Sequence, residues 1–145
     1  MEENCVSQVM PASLVIFDSS ILIDYLRTRR HQDRIFSIAG LVRTSSVVLA
    51  ELWRGAIDDD EQEFLRKFEK NHALITPTAG NWLESGKILS QIQTAKGFSP
   101  AKLRDLHFDV LIALSARSHG ARLITSNRED FELINRFRKF QLEVW

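Results

Sequence analysis

Short apolar runs alternate along this chain with longer segments in which apolar residues recur every third or fourth position. The run over 13–17, "SLVIF", is β-branched and aromatic, and it predicts a strand buried on both faces. Ser19 and Ser20 can cap the helix behind it, whose Ile21, Leu22, Tyr25 and Leu26 fall at helical spacing. Segment 41–46 predicts a second strand, with serines that cap a helix over 47–56. In 58–70, Phe64, Leu65 and Phe68 share one face of an otherwise charged helix. Residues 72–76 predict a third strand stopped by Pro77, and 79–95 a helix. Gly97 and Pro100 mark 95–105 as loop. A largely buried helix is expected over 109–120, with Gly120 as its stop signal. A strand over 121–126, a helix over 128–137 and a last strand over 141–145 at the sheet edge complete the pattern.

Strands separated by helices imply a parallel sheet with helices on both faces. Ligands in such sheets bind beyond the carboxyl ends of the strands. The 145 residues fit one domain, expected over 13–145, with 1–12 as an N-terminal tail and Met10 as an alternative start. No repeat or low-complexity segment interrupts it. Nineteen basic and nineteen acidic residues cancel, which argues against a protein that coats nucleic acid by bulk attraction. A compact site where metal ions meet phosphates remains compatible with that balance. The single cysteine, Cys5, cannot form an intrachain disulfide. The first ten residues are polar and no apolar run approaches the ~20 residues that span a bilayer, so neither a secretory leader nor membrane insertion is expected. The expected location is the cytoplasm.

Acidic residues recur where strand hands over to helix. Asp18 follows the first strand, Glu51 lies one turn into the helix after the second, Asp109 opens the buried helix, and Asn127 and Asp130 follow the fourth strand. Scattered in sequence, they converge on one rim of a parallel sheet. Carboxylate oxygens are the hard ligands that Mg²⁺ and Mn²⁺ prefer, and a cation gives mutually repelling carboxylates a reason to coexist. Each residue also has a plainer reading. Asp18 can accept from backbone N–H groups at a helix start, and Asp109 can be an N-cap. Glu51 can be a solvated glutamate beside the stripe of Val48, Leu49, Leu52, Trp53 and Ala56, and Asn127 with Asp130 resembles a capping box with Asp in place of Glu. Asp24, six residues past Asp18, reads as solvated helix surface. Asp105 and Asp58 to Asp60 read as surface or cap residues, and His31, His72, His107 and His119 share no metal-ligand spacing.

The segments "VIFDSSILIDYL", "TSSVVLAELWRGA" and "DVLIALSARSHGARLITSNREDF", in this order and followed by a closing strand, resemble the PIN domain of the VapC type, the ribonuclease toxins of toxin–antitoxin pairs. The resemblance covers essentially everything from residue 13 to the end. It implies a three-layer α/β/α sandwich with a mainly parallel sheet of four to five strands. It implies that Asp18, Glu51 and Asp109 are metal ligands, Asp18 and Asp109 on the primary ion. The fourth acidic position falls on neutral Asn127 or on Asp130, and Thr125 and Ser126 match a polar position that orients the attacking water or a carboxylate. The implied activity is Mg²⁺- or Mn²⁺-dependent endoribonuclease hydrolysis of RNA.

The implied partners are RNA, a small antitoxin protein and a second copy of the chain. The apolar faces around Leu52–Trp53 and Phe64–Phe68 are either contact surfaces for these proteins or core. Arg27, Arg29, Arg30, Arg34 and Lys102 either guide RNA or are solvated surface. An alternative, to which Asn127 points, is a catalytically weak or inactive PIN-fold module acting through a protein partner or in RNA processing outside a toxin system. Other rim-sited phosphate enzymes fit poorly. Ser20 stands where a haloacid dehalogenase-type phosphatase needs a second aspartate, and "FDSSIL" has no glycine for a dinucleotide turn. The adjacent acidic pair of a response-regulator receiver is absent.

Overall fold

The computed structural model describes residues 13–145 and shows five strands in one sheet. They are β1 (Leu14–Phe17), β2 (Leu41–Ser45), β3 (Leu74–Ile75), β4 (Arg122–Thr125) and β5 (Gln141–Val144). Every pairing is parallel, in the order β3-β2-β1-β4-β5, with helices flanking the sheet as an α/β/α sandwich. The helices are α1 (Ser19–Thr28), α2 (Gln32–Phe36), α3 (Ser46–Gly55), α4 (Asp59–Asn71), α5 (Ala79–Lys96), α6 (Pro100–Ser118) and α7 (Arg128–Phe137). The tail expected over 1–12 lies outside the described residues.

From β1 the chain winds to β2 and β3 on one side, then crosses to β4 and β5 on the other. The order therefore reverses between β1 and β4, and their carboxyl ends frame the crevice where such sheets bind ligands. Both strands are buried: Val15, Ile16, Phe17, Leu123 and Ile124 are at most 3% exposed. Seven consecutive residues of α6, Val110 to Ala116, are buried with them. The entry to β2 depends on Gly40, whose φ is +131°. A Cβ there would sit 2.7 Å from the Ser13 carbonyl oxygen, which accepts the Leu41 N–H that aligns β2 on β1.

Three expectations are corrected. The loop expected over 95–105 shrinks to 97–99, because α5 runs to Lys96 and α6 starts at Pro100 with the Ser99 side chain accepting from Lys102 N. Proline at the first helical position costs no hydrogen bond, so Pro100 begins a helix rather than breaking one. Asp109 consequently does not open a helix or cap one; it sits near the middle of α6. Helix α2, unanticipated, is a five-residue element entered through His31 at φ +66°. The third strand is shorter than expected, reduced to Leu74–Ile75 at the edge.

Candidate active site

Asp18 is the residue at which β1 becomes α1, and it is 2% exposed. Its N–H still pairs with the sheet, donating to the Ile124 carbonyl at 2.9 Å. Its side chain makes no cap hydrogen bond to α1, which removes the plain reading of this carboxylate. Instead Asp18 Oδ2 accepts from Ser20 Oγ and from Thr125 Oγ1, each at 2.8 Å. The two hydroxyl oxygens accept in turn from the backbone of the turn after β4: Ser126 N–H donates to Ser20 Oγ at 3.1 Å, and Asn127 N–H to Thr125 Oγ1 at 2.9 Å. With an acceptor site on each hydroxyl filled by an N–H, the protons of Ser20 and Thr125 are directed at Asp18. A buried charge is tolerable under these conditions, being met by hydrogen bonds to charged acceptors.

Glu51 comes from α3, whose buried stripe is Val48, Leu49 and Leu52. Glu51 borders that stripe half-buried, and its Oε1 has no hydrogen-bond partner. Burial, followed by the negative charge of Asp18, pushes its carboxyl up to about 7. Asp109 on α6 is pushed up to about 8, first by burial and then by Asp18, Glu51 and Asp130, with Lys102 opposing. Three elements, the β1 end, α3 and α6, thus bring Asp18, Glu51 and Asp109 into one electrostatic neighbourhood.

Asp130 belongs to the same neighbourhood but is differently occupied. Lys102 Nζ forms an ion pair with Asp130 Oδ1 at 2.7 Å, and Asn127 Nδ2 donates to Asp130 Oδ2 at 3.1 Å. The hydrogen bond to Asp130, and then the charges of Asp130 and Asp109, hold the Lys102 ammonium above its ordinary value against burial. Asn127 caps α7 through its Oδ1, which accepts from Asp130 N at 3.4 Å, but its own N–H goes to Thr125 rather than back to Asp130. The capping box is therefore half formed, and the amide of Asn127 steers Asp130.

The basic residues separate. Lys102 is in the site, and Arg27 shares a small cavity with Glu51. Arg29 lies over the Tyr25 ring and Arg34 over the Trp145 ring, while Arg30 is exposed. Asp24 faces His31 at 3.8 Å on the helix flank, away from this role. Asp58 caps α4, accepting from Glu61 N at 2.8 Å. Ser20 is the residue whose part went unseen in sequence. Expected as a helix cap, Ser20 is instead the second residue of α1 and donates to Asp18, and its hydroxyl lies 3.2 Å from that of Thr125, 105 residues away.

Among the described residues, no three His, Cys, Asp or Glu side chains are already gathered as the ligands of a metal ion. The donor set nonetheless fits a hard divalent cation in kind. It is all carboxylate oxygen, one oxygen of Glu51 is buried and unpartnered, and two carboxyls are raised by burial and then by the charges of their neighbours. A cation relieves each of these unfavourable conditions.

The fold and site together define an α/β protein with an acidic centre at the switch point of a parallel sheet. The family model described as PIN domain matches residues 15–136, and the chain belongs to the PIN domain family. Among solved structures, a chain of VapBC2 from Rickettsia felis bound to a promoter DNA fragment is similar, with TM-score 0.66 and 22% identity over 91% of this chain and 98% of that one. DNA-bound VapBC from Salmonella typhimurium gives 0.66 and 21% over 92% and 98%. A toxin–antitoxin complex from Klebsiella pneumoniae gives 0.57 and 21% over 81% and 89%. At these identities the likeness is one of fold. A comparison with curated proteins gives no match.

Proposed function

We propose that the chain is a metal-dependent endoribonuclease of the VapC type, the toxin of a pair held inactive by a small antitoxin. The observation that carries this reading is the buried Asp18, held by Ser20 and Thr125 and flanked by Glu51 and Asp109, whose carboxyls are pushed up to about 7 and 8. Mg²⁺ or Mn²⁺ bound there would lower the pKa of a coordinated water and polarise the scissile phosphate. Asp18 and Asp109 would hold the ion, with Glu51 completing its shell. Thr125 and Ser20 orient Asp18, and Ser126 and Asn127 act through them with their backbone N–H groups. Asp130, in its ion pair, stands beside this set rather than within it. Arg27 and Lys102 bring positive charge to the mouth of the site, where RNA phosphates would pass.

The partner surface in this reading is a groove of about 390 Å³ lined by Tyr25, Phe36, Phe64 and Phe68. Phe36 is 72% exposed beside the half-buried Phe64 and Phe68, whereas in the other candidate face, Leu52–Trp53, Leu52 belongs to the core and Trp53 is half-buried against it. The same groove could seat a second copy of the chain. Among the described residues no helix is long and apolar enough to cross a membrane, and the proposed location is the cytoplasm. The neutral Asn127 and the Lys102–Asp130 pair favour a second reading, a PIN-fold module of low turnover that acts through its partner.

The test is hydrolysis of RNA by the purified chain in Mg²⁺ or Mn²⁺ against EDTA. Cleavage that requires the ion supports the nuclease. Ion-dependent binding of RNA without cleavage supports the second reading, and cleavage undiminished in EDTA contradicts the metal mechanism.

A further inference from the structure

We infer that Lys102 is a built-in cation of the acidic site, holding Asp130 out of the ligand set and limiting the site to one divalent ion. This rests on the metal-dependent function proposed above and concerns how many ions that site takes.

The ion pair is fixed at both ends. Lys102 is the third residue of α6, and its N–H donates to the Ser99 cap at 3.2 Å. Asp130 is the third residue of α7, and its N–H donates to the Asn127 cap at 3.4 Å. The ammonium stands 2.7 Å from Asp130 Oδ1 and 5.8 Å from the centre of the Phe98 ring, so a carboxylate and an aromatic ring both hold it. The Asp130 side chain is only 17% exposed, unlike the solvated partners of ordinary surface pairs, whose interaction is weak. Its other oxygen accepts from Asn127 Nδ2 at 3.1 Å. Both oxygens of Asp130 therefore already have donors, while Glu51 Oε1 has none.

Charge leads to the same conclusion. When ionised, Asp18, Glu51, Asp109 and Asp130 carry four negative charges, and Lys102 returns one. A single divalent ion then leaves one net negative charge in the site. A second would leave a net positive charge and would face the Lys102 ammonium. Lys102 also precedes Asp109 by seven residues, two helical turns along the same face of α6, and its ammonium, though its side chain is 37% exposed, is tied to Asp130 on the side of the proposed ligands. In this arrangement the ammonium supplies the fixed positive charge that a second ion would otherwise bring, and it is placed to meet a phosphate oxygen.

The experiment is calorimetric titration of the metal-free, full-length chain with Mn²⁺, with the number of bound ions checked by electron paramagnetic resonance. The wild type should bind one ion per chain. Lys102→Met frees Asp130 and should bind two, the second within about tenfold of the first in affinity. Lys102→Arg keeps the charge and should bind one, which separates charge from any effect on folding. Two ions in the wild type, or one unchanged ion in Lys102→Met, would overturn the inference while leaving a metal nuclease intact. No ion in the wild type would overturn both.

Discussion

Asp18 and Thr125 lie 107 residues apart in the chain and 2.8 Å apart in the fold, Thr125 Oγ1 donating to Asp18 Oδ2. Thr125 is fully buried, and its hydroxyl also accepts the Asn127 N–H. Thr125→Val keeps the shape and removes both bonds. A hydrogen bond to a buried charge is worth about 1.5–3 kcal/mol, so Thr125→Val should destabilise the protein by about that amount in urea. RNA cleavage should fall as well, because Asp18 loses one of its two short hydroxyl contacts. A Thr125→Ser variant, which restores the hydroxyl, should recover most of both losses. Unchanged stability in Thr125→Val would mean that the hydroxyl does not hold Asp18.

Asp109 gives the metal-free protein a characteristic dependence on pH. Its carboxyl is raised from 3.8 to about 8, so the folded chain holds this proton more tightly than the unfolded one. The stability this confers is fully present below the unfolded value and is lost as pH rises through about 8. In EDTA the difference in melting temperature between wild type and Asp109→Asn should therefore grow in favour of the variant from about pH 5 to about pH 8. Mg²⁺ at about a hundred times its dissociation constant should add about 2.7 kcal/mol to the wild type and little to the variant. A difference that stays flat with pH would show that Asp109 is not raised.

The start of β2 is set by backbone geometry rather than by the site. At Gly40 a Cβ would fall 2.7 Å from the Ser13 carbonyl oxygen, on a backbone with φ +131°. Gly40→Ala should cost about 1–3 kcal/mol of stability in urea. The metal affinity of the folded protein should be unchanged, since Gly40 lies at the opposite end of β2 from the rim that carries Asp18.

Much of this was legible in the sequence because periodicity and burial agree there. The apolar runs of β1 and β4 could only be buried strands, and Asp18 stood out as a charge at the end of one. Glu51 was legible as a carboxylate in the helix that follows β2. The start of α6 was not legible, because Gly97 and Pro100 are also loop signals and only the Ser99 cap shows that Pro100 begins a helix. That misreading placed Asp109 at a helix start instead of on an inner face. The Lys102–Asp130 pair was hidden for a different reason. It joins two helices across 28 residues, and nothing local distinguishes Lys102 from a solvated lysine. Ser20 was hidden in the same way, since its second role depends on Thr125 from the far end of the chain.

The role of Asp18 in a metal-dependent nuclease is tested by cleavage of single-stranded RNA in Mg²⁺ by wild type and by Asp18→Asn, compared at equal concentrations of folded protein. The substitution keeps the shape of the side chain and removes the charge that the hydroxyls of Ser20 and Thr125 hold in place. The wild type should cleave, EDTA should abolish cleavage, and Asp18→Asn should lower it by at least about a hundredfold, in line with the loss of several kcal/mol of metal-borne charge stabilisation. Equal cleavage by the two proteins would contradict that role.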